Sequence, residues 1–162
     1  MSEREIAMEL TYENMKSFME RYFRDYSSHV NSVESIDQLD ELYTANFTSI
    51  VYMHAKGMKY PFVRTGREEF KKSLVQGHVS IRENLFPNNI IIDEKKKIAG
   101  VLLTSEKTIM KTGEKYVFDG IGFYHLCTHE ENKIKIERLD IFCDDPDKLN
   151  KVYFQTMSEL SG

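Results

Sequence analysis

Apolar residues recur at helical spacing over the first third of the chain and at alternate positions over much of the rest, so the sequence divides into a helical part and a sheet-forming part. Met15, Phe18, Met19, Tyr22, Phe23 and Tyr26 follow an i, i+3, i+4, i+7 rhythm and form one buried stripe. Thr11 stands where it can cap that stripe, which predicts a helix from Tyr12 to about Val30. Ser35-Ile36-Asp37-Gln38 has capping-box spacing and opens a second, short helix that buries Ile36, Leu39 and Leu42. A strand over about residues 47–54 follows, then a loop or minor hairpin over residues 55–63, where Gly57 and Pro61 lie. Thr65-Gly66-Arg67-Glu68 is a further capping box and predicts a third helix running to about His78.

From Ile81 onward the period is that of strands. Ile90-Ile91-Ile92 meets residues 98–110 across a charged turn, and Thr112-Gly113 turns the chain back from Met110 to Tyr116. Residues 116–128 and 133–143 are joined by a short polar loop and complete a four-strand antiparallel meander. Asp145-Pro146 sets proline at the first position of a C-terminal helix whose stripe is Leu149, Val152, Tyr153 and Leu160. The fold class read from this order is α+β: a curved antiparallel sheet of four to six strands wrapped around three N-terminal helices, with an extra C-terminal helix. Such a sheet, closed by its helices, makes a cone with an internal cavity. Residues 11–162 read as one domain, preceded by a frayed segment over residues 1–10.

The last hairpin carries the candidate chemistry. With Thr128 paired to Lys133, Asp119, Ile121, Phe123 and His125 share a face with Ile136, Arg138, Asp140 and Phe142, since alternate residues point to opposite sides. Ionisable groups among aromatics on one face read as the lining of a pocket, or as polar groups paired at the rim of a sheet. A loop one residue longer would reverse the parity of the second strand. Arg138 and Asp140, two apart, form an ion pair that either orients Asp140 as a base or braces the sheet. Asp119 is a candidate general acid or a rim carboxylate, and His125 a proton shuttle or a hydrogen-bonded structural residue. Tyr22 and Tyr26 point from the first helix toward the sheet, either as core or as donors to a substrate oxygen. On the same register Tyr124, Leu139 and Ile141 face away from the cone, an apolar surface for a homodimer.

Composition narrows the classes. With 162 residues and 41% apolar residues the chain can bury a substantial core. A net charge of −4 without a basic face gives no reason to bind nucleic acid. No apolar run approaches membrane-spanning length, and the N-terminus lacks the order of a signal peptide. Cys127 and Cys143, with no CxxC spacing, read as free thiols of a reducing cytoplasm. His125 and His129 do not fall on one helix face, and there is neither a phosphate-cradling glycine loop nor a nucleophile elbow. No metal site and no cofactor are therefore expected.

Three segments carry a family likeness: Glu20-Arg21-Tyr22-Phe23, Thr65-Gly66-Arg67-Glu68-Glu69-Phe70, and Asn132-Lys133-Ile134-Lys135-Ile136-Glu137-Arg138. With the element order, over about residues 12–144, they resemble the SnoaL-like superfamily, also called ketosteroid-isomerase-like or nuclear-transport-factor-like. The resemblance implies a cone-shaped α+β barrel around a ligand pocket. It implies an oxyanion-stabilising role for Tyr22, and it sets Asp140 near the last-strand aspartate that serves as base in limonene-epoxide-hydrolase-type members. The chain departs from the pattern at Ser49-Ile50-Val51-Tyr52, where ketosteroid isomerases carry their aspartate base. His78 lies too far ahead of Asn88-Asn89 to match the dehydratase histidine. The sites so expected are Asp140, Arg138, Tyr22, Asp119 and His125 for catalysis, with Tyr26, Ile121, Phe123, Ile136, Phe142 and His78 against the ligand. The readings that follow are a cofactor-independent isomerase, cyclase, dehydratase or epoxide hydrolase acting on a hydrophobic small molecule, a non-catalytic ligand-binding domain, or a dimeric association module.

Overall fold

The computed structural model describes residues 8–31, 35–54, 59–78, 80–128, 132–145, 147–148 and 151–152, with the backbone alone at residues 27, 29 and 78. The first helix, α1, is Tyr12–Val30. Thr11 caps it, its hydroxyl accepting the Asn14 N–H at 3.2 Å and its carbonyl the Met15 N–H at 2.9 Å. The whole predicted stripe, extended by Val30, is buried. Ser35 does not close a capping box, because its hydroxyl donates to the Ser28 carbonyl instead. The segment Ile36–Glu41 winds as a 3-10 helix and still buries Ile36 and Leu39. The second α-helix, α2, is Arg67–His78. It starts after Gly66, whose positive φ of 95° turns the chain and whose N–H binds the Phe47 carbonyl at 2.8 Å.

Six strands follow the order β2-β1-β6-β5-β4-β3 across one sheet. They are β1 Tyr43–Tyr52, β2 Phe62–Thr65, β3 Ile81–Asp93, β4 Ile98–Ile109, β5 Lys115–Thr128 and β6 Ile134–Cys143. All neighbours are antiparallel except β1 and β6, which run parallel. Two elements are longer than the apolar pattern indicates. The first strand starts at Tyr43, and the end of the segment read as a loop or minor hairpin pairs with it, antiparallel, as β2. The sheet bends over α1, bringing Ala99, Val101, Leu103, Tyr124, Leu126 and Leu139 into one core with the helix stripe. Gly120 permits that curvature, since a Cβ there would lie 2.6 Å from the Phe142 carbonyl oxygen.

The β5–β6 hairpin settles which side chains face the cavity. Thr128 pairs with Ile134, not with Lys133, so parity at the start of β6 is reversed from the expected register. Ile136 therefore points inward, opposite Leu126, and is fully buried. Glu137 is then an extra residue, a β-bulge, and beyond it His125 pairs with Arg138, Phe123 with Asp140 and Ile121 with Phe142. The two shifts cancel for these six residues, which do share a face. That face is the convex one. Tyr124 and Leu139, paired on the other side, lie in the core, where the Tyr124 ring packs edge-on against Tyr22 at 5.5 Å. Tyr124, Leu139 and Ile141 are thus inward-facing and not the outer surface expected of them. Alternation divides a strand into two faces, but the helix stripe chooses which of them becomes the interior.

Asp147, Lys148, Lys151 and Val152 are helical, and the Asp145 side chain accepts the Lys148 N–H at 2.9 Å. Val152 is fully buried in a small cluster with Met53, Ile81 and Phe118. Pro146, Leu149, Tyr153 and Leu160 lie outside the described residues. No helix among those described is long and apolar enough to cross a membrane.

Candidate functional site

The concave face of the sheet, α1 and α2 enclose a cavity of about 220 Å³. Its polar wall comes from alternation on two neighbouring strands. The inward residues of β4 run Ala99, Val101, Leu103, Ser105, Lys107, Ile109, and those at the start of β3 run Ile81, Glu83, Leu85. Cross-strand pairing sets Leu85 opposite Ser105, Glu83 opposite Lys107 and Ile81 opposite Ile109. An acid and a base thus face each other inside otherwise apolar rows. The Lys107 ammonium contacts Glu83 Oε2 in an ion pair largely shielded from solvent. Glu83 also accepts hydrogen bonds from the Tyr26 hydroxyl at 3.1 Å and the Ser105 hydroxyl at 3.2 Å. Its backbone is clamped to the end of α1, with Asn31 donating to the Glu83 carbonyl at 2.7 Å and accepting its N–H at 3.0 Å.

Burial pushes the Lys107 ammonium down to about 8; nearby Cys143 opposes this shift, and the Arg64 guanidinium in the same cavity adds to it. Arg64 enters from β2, donating to the Ser49 hydroxyl at 2.9 Å and the Ser73 hydroxyl at 3.2 Å. Its guanidinium lies over the rings of Phe70 at 4.7 Å and Phe62 at 5.5 Å. Behind the ion pair, the Tyr22 and Tyr43 hydroxyls share a 2.6 Å hydrogen bond. Burial, reinforced by the neighbouring tyrosines, holds the Tyr22 phenol well above its ordinary value, so it stays protonated and able to donate.

The residues expected to line one cavity are split by the sheet. Tyr22 and Tyr26 line it from α1, and Asp119, Ile121 and Phe142 border it at the end where β5 meets β6. Asp119 itself is exposed and accepts the Thr104 hydroxyl at 2.9 Å, while its N–H donates to the Asp144 carboxylate at 3.1 Å and its carbonyl accepts the Asp144 N–H at 2.9 Å. Arg138, Asp140, His125, Phe123 and Ile136 do not reach the cavity. Ile136 is in the core; the other four sit on the convex face. The side chain of His78 lies outside the described residues.

On that outer face Asp140 is the hub of a cluster spanning three strands. Arg138 donates to it from Nε at 3.0 Å and from Nη2 at 2.9 Å, His125 Nε2 lies at 3.0 Å, and the Tyr52 hydroxyl donates at 3.2 Å. Burial pushes the Asp140 carboxyl up, but the bonds from Arg138, His125 and Tyr52 outweigh it and hold the group below its ordinary value. The Phe142 ring stacks on Tyr52 at 4.5 Å and meets Phe123 edge-on at 6.0 Å. These contacts tie β1, β6 and β5 together on the outer face.

The inner acid–base set escaped the sequence reading for two reasons. Glu83 and Lys107 become conspicuous only when strands β3 and β4 are read at alternate positions, and Arg64 falls between the segment read as a loop or minor hairpin, residues 55–63, and the capping box that starts at Thr65. Among the described residues no three His, Cys, Asp or Glu side chains converge as metal ligands.

No family model and no curated protein matches the chain by sequence. In three dimensions it resembles SalBIII, an epoxide hydrolase/cyclase-like enzyme with a role in pyran ring formation in the polyether salinomycin. That likeness has a TM-score of 0.62 at 18% identity over 85% of this chain and 96% of that one. It also resembles the BvnE pinacolase from Penicillium brevicompactum, with a TM-score of 0.66 at 12% identity over 93% and 98% of the two chains. A protein from Jannaschia sp. CCS1 assigned as a SnoaL-like polyketide cyclase matches with a TM-score of 0.61 at 12% identity over 88% and 92%. By these likenesses in three dimensions, this chain has the SnoaL-like, or NTF2-like, fold.

Proposed function

We propose that this protein is a cofactor-independent acid–base enzyme of the isomerase, cyclase, dehydratase or epoxide hydrolase type, acting on a hydrophobic small molecule held in the cone. The observation that carries this reading is the Glu83–Lys107 pair, facing an apolar-walled cavity with Tyr26 bonded to its carboxylate. A carboxylate and an ammonium in contact can take a proton from carbon and give one to oxygen without a third reagent. Tyr22, held protonated, is placed to donate to negative charge developing deeper in the cavity. Relatives in fold named as an epoxide hydrolase/cyclase-like enzyme and a pinacolase support a reaction of this general kind.

The test is a panel of apolar epoxides and ketones screened for turnover, followed by substitution. Glu83→Gln is expected to lower the turnover of any accepted substrate roughly 10²–10⁴-fold while the circular dichroism spectrum stays native. Asp140→Asn should leave turnover within a few-fold of wild type. The opposite outcome would move the base to the convex face. Binding without turnover would make the domain a ligand carrier or sensor.

The convex face supports a homodimer, now through residues other than those first expected. Ile121, Phe123 and Phe142 are 39%, 39% and 41% exposed and adjoin Leu102 in one apolar patch. A second copy of this chain fits the patch because its carboxylate, Asp140, is already neutralised by Arg138, so two such faces meet without an unpaired buried charge. Sedimentation at micromolar concentration should give twice the chain mass for wild type and the chain mass for Phe123→Arg. A monomeric wild type would exclude this assembly.

A further inference from the structure

We infer that the molecule bound in the cavity is a ketone or aldehyde on an apolar body, and that Lys107 captures its carbonyl carbon as an imine; this rests on the reading of the cavity as the ligand site. Among the described residues Lys107 is the only lysine that lines the cavity. It stands on the inward row of β4 with its side chain 15% exposed, in contact with a Glu83 side chain that is 13% exposed. Val51, Ile81, Leu85, Leu103 and Phe118 make the surrounding wall apolar, a setting in which a lysine is a nucleophile and not merely a charge. Burial favours the neutral amine over the ammonium. With the ammonium pushed down to about 8, roughly half of Lys107 is free amine at pH 8, against well under one in a hundred for an ordinary lysine. Lys71 marks the contrast. Burial acts on it in the same direction, but Asp37, Asp40 and Glu68 outweigh burial and hold its ammonium above the ordinary value.

Glu83 supplies the acid that the capture requires. Passing the proton from the ammonium to the touching carboxylate leaves a neutral amine beside a neutral acid. The amine lone pair forms the N–C bond while the carbonyl π pair moves to oxygen. That oxygen takes one proton from the nitrogen and one from Glu83 and departs as water, leaving a protonated imine beside the Glu83 carboxylate. No further reagent enters the step. The iminium then draws electrons from the neighbouring C–H bond, and Glu83, already against the nitrogen, is the base placed to take that proton. The C–H pair becomes a C=C bond and the C=N π pair returns to nitrogen, giving an enamine, the nucleophile that an isomerisation or ring closure uses. Glu83 is held for both transfers: Tyr26 bonds to Oε1, Ser105 to Oε2, and Asn31 clamps its backbone.

The experiment incubates the full chain at pH 8 with 2-tetralone and sodium cyanoborohydride, which reduces an imine to a stable secondary amine, and maps the label by mass spectrometry of peptides. Cys143 also lines the cavity, but burial pushes its thiol up, and a thiol adduct of a ketone is not fixed by this reductant. The expected result is one tetralin group per chain, on Lys107, formed at least about 10-fold faster than on any other lysine. Lys107→Arg and Lys107→Met, each checked for native fold by circular dichroism, should lose that fast labelling. Equilibrium dialysis with 2-tetralone and with 2-tetralol, which cannot form an imine, reads binding separately. Retention of 2-tetralone with Lys107 labelled no faster than the other lysines would overturn the inference and leave the acid–base pair standing. Fast labelling centred on a different lysine would overturn it as well. If folded wild type retains neither compound, the cavity is not a ligand site and both readings fall.

Discussion

Inserting one alanine between Leu139 and Asp140 should lower stability by several kcal/mol, while Glu137→Ala should change it by no more than about 0.5 kcal/mol. Glu137 is exposed, and as the extra residue of a β-bulge it has no partner on β5 to lose. Beyond it β6 alternates without a break, Arg138 opposite His125, Leu139 opposite Tyr124 and Asp140 opposite Phe123. One added residue reverses the parity of all that follows, turning Asp140 toward the core under α1 and Ile141 toward solvent. Burying that carboxylate away from Arg138, Tyr52 and His125 is comparable in cost with much of the stability of a domain. Deleting Glu137, by contrast, should keep the fold, because Ile136 stays opposite Leu126 and Arg138 opposite His125. Urea unfolding followed by circular dichroism reads the outcome. An insertion variant with the wild-type urea midpoint would show that parity does not control the face.

Phe47→Ala should lower stability by about 3–5 kcal/mol, a fall in melting temperature on the order of 10 °C for a chain of this size. Phe47 is fully buried, with its ring centroid 4.4 Å from that of Tyr43 and 4.9 Å from that of Phe70. It therefore locks α2 onto β1, and the cavity it leaves cannot close without moving one of them. The effect should reach the functional site, since Phe70 is the ring beneath the Arg64 guanidinium. Phe86→Ala, the same truncation on a half-exposed residue at the edge of the sheet, should cost less than about 1 kcal/mol. Similar losses from both substitutions would contradict the packing described.

Much of the architecture was legible in local patterns because local physics produces it. A stripe at helical spacing with Thr11 before it makes α1 whatever surrounds it, and the Thr112-Gly113 turn puts Gly113 at a φ of 74°, as the hairpin needs. The second predicted helix shows where such rules yield. Ser35 found a better partner in the Ser28 carbonyl, and the segment tightened into a 3-10 turn. The parallel β1–β6 pair has no local signature at all, because it joins residues almost a hundred apart.

The site followed the same division. Tyr22 and Tyr26 could be placed in the cavity from the helix stripe alone, since that stripe must face the sheet. The grouping of Ile121, Phe123, His125, Arg138, Asp140 and Phe142 on one face could also be read, although by a register whose error the Glu137 bulge happens to cancel. What the chain could not announce is the side of the sheet on which that face would lie. A strand's two faces are equivalent until something packs on one of them, and here the aromatic stripe of α1 covers Tyr124 and Leu139. That contact turned outward the face expected to line a pocket. It turned Glu83 and Lys107, quiet members of two alternating rows, inward to face one another. Secondary structure and the membership of each face were properties of the sequence; inside and outside were decided by tertiary packing, because only the buried area of the whole assembly distinguishes them.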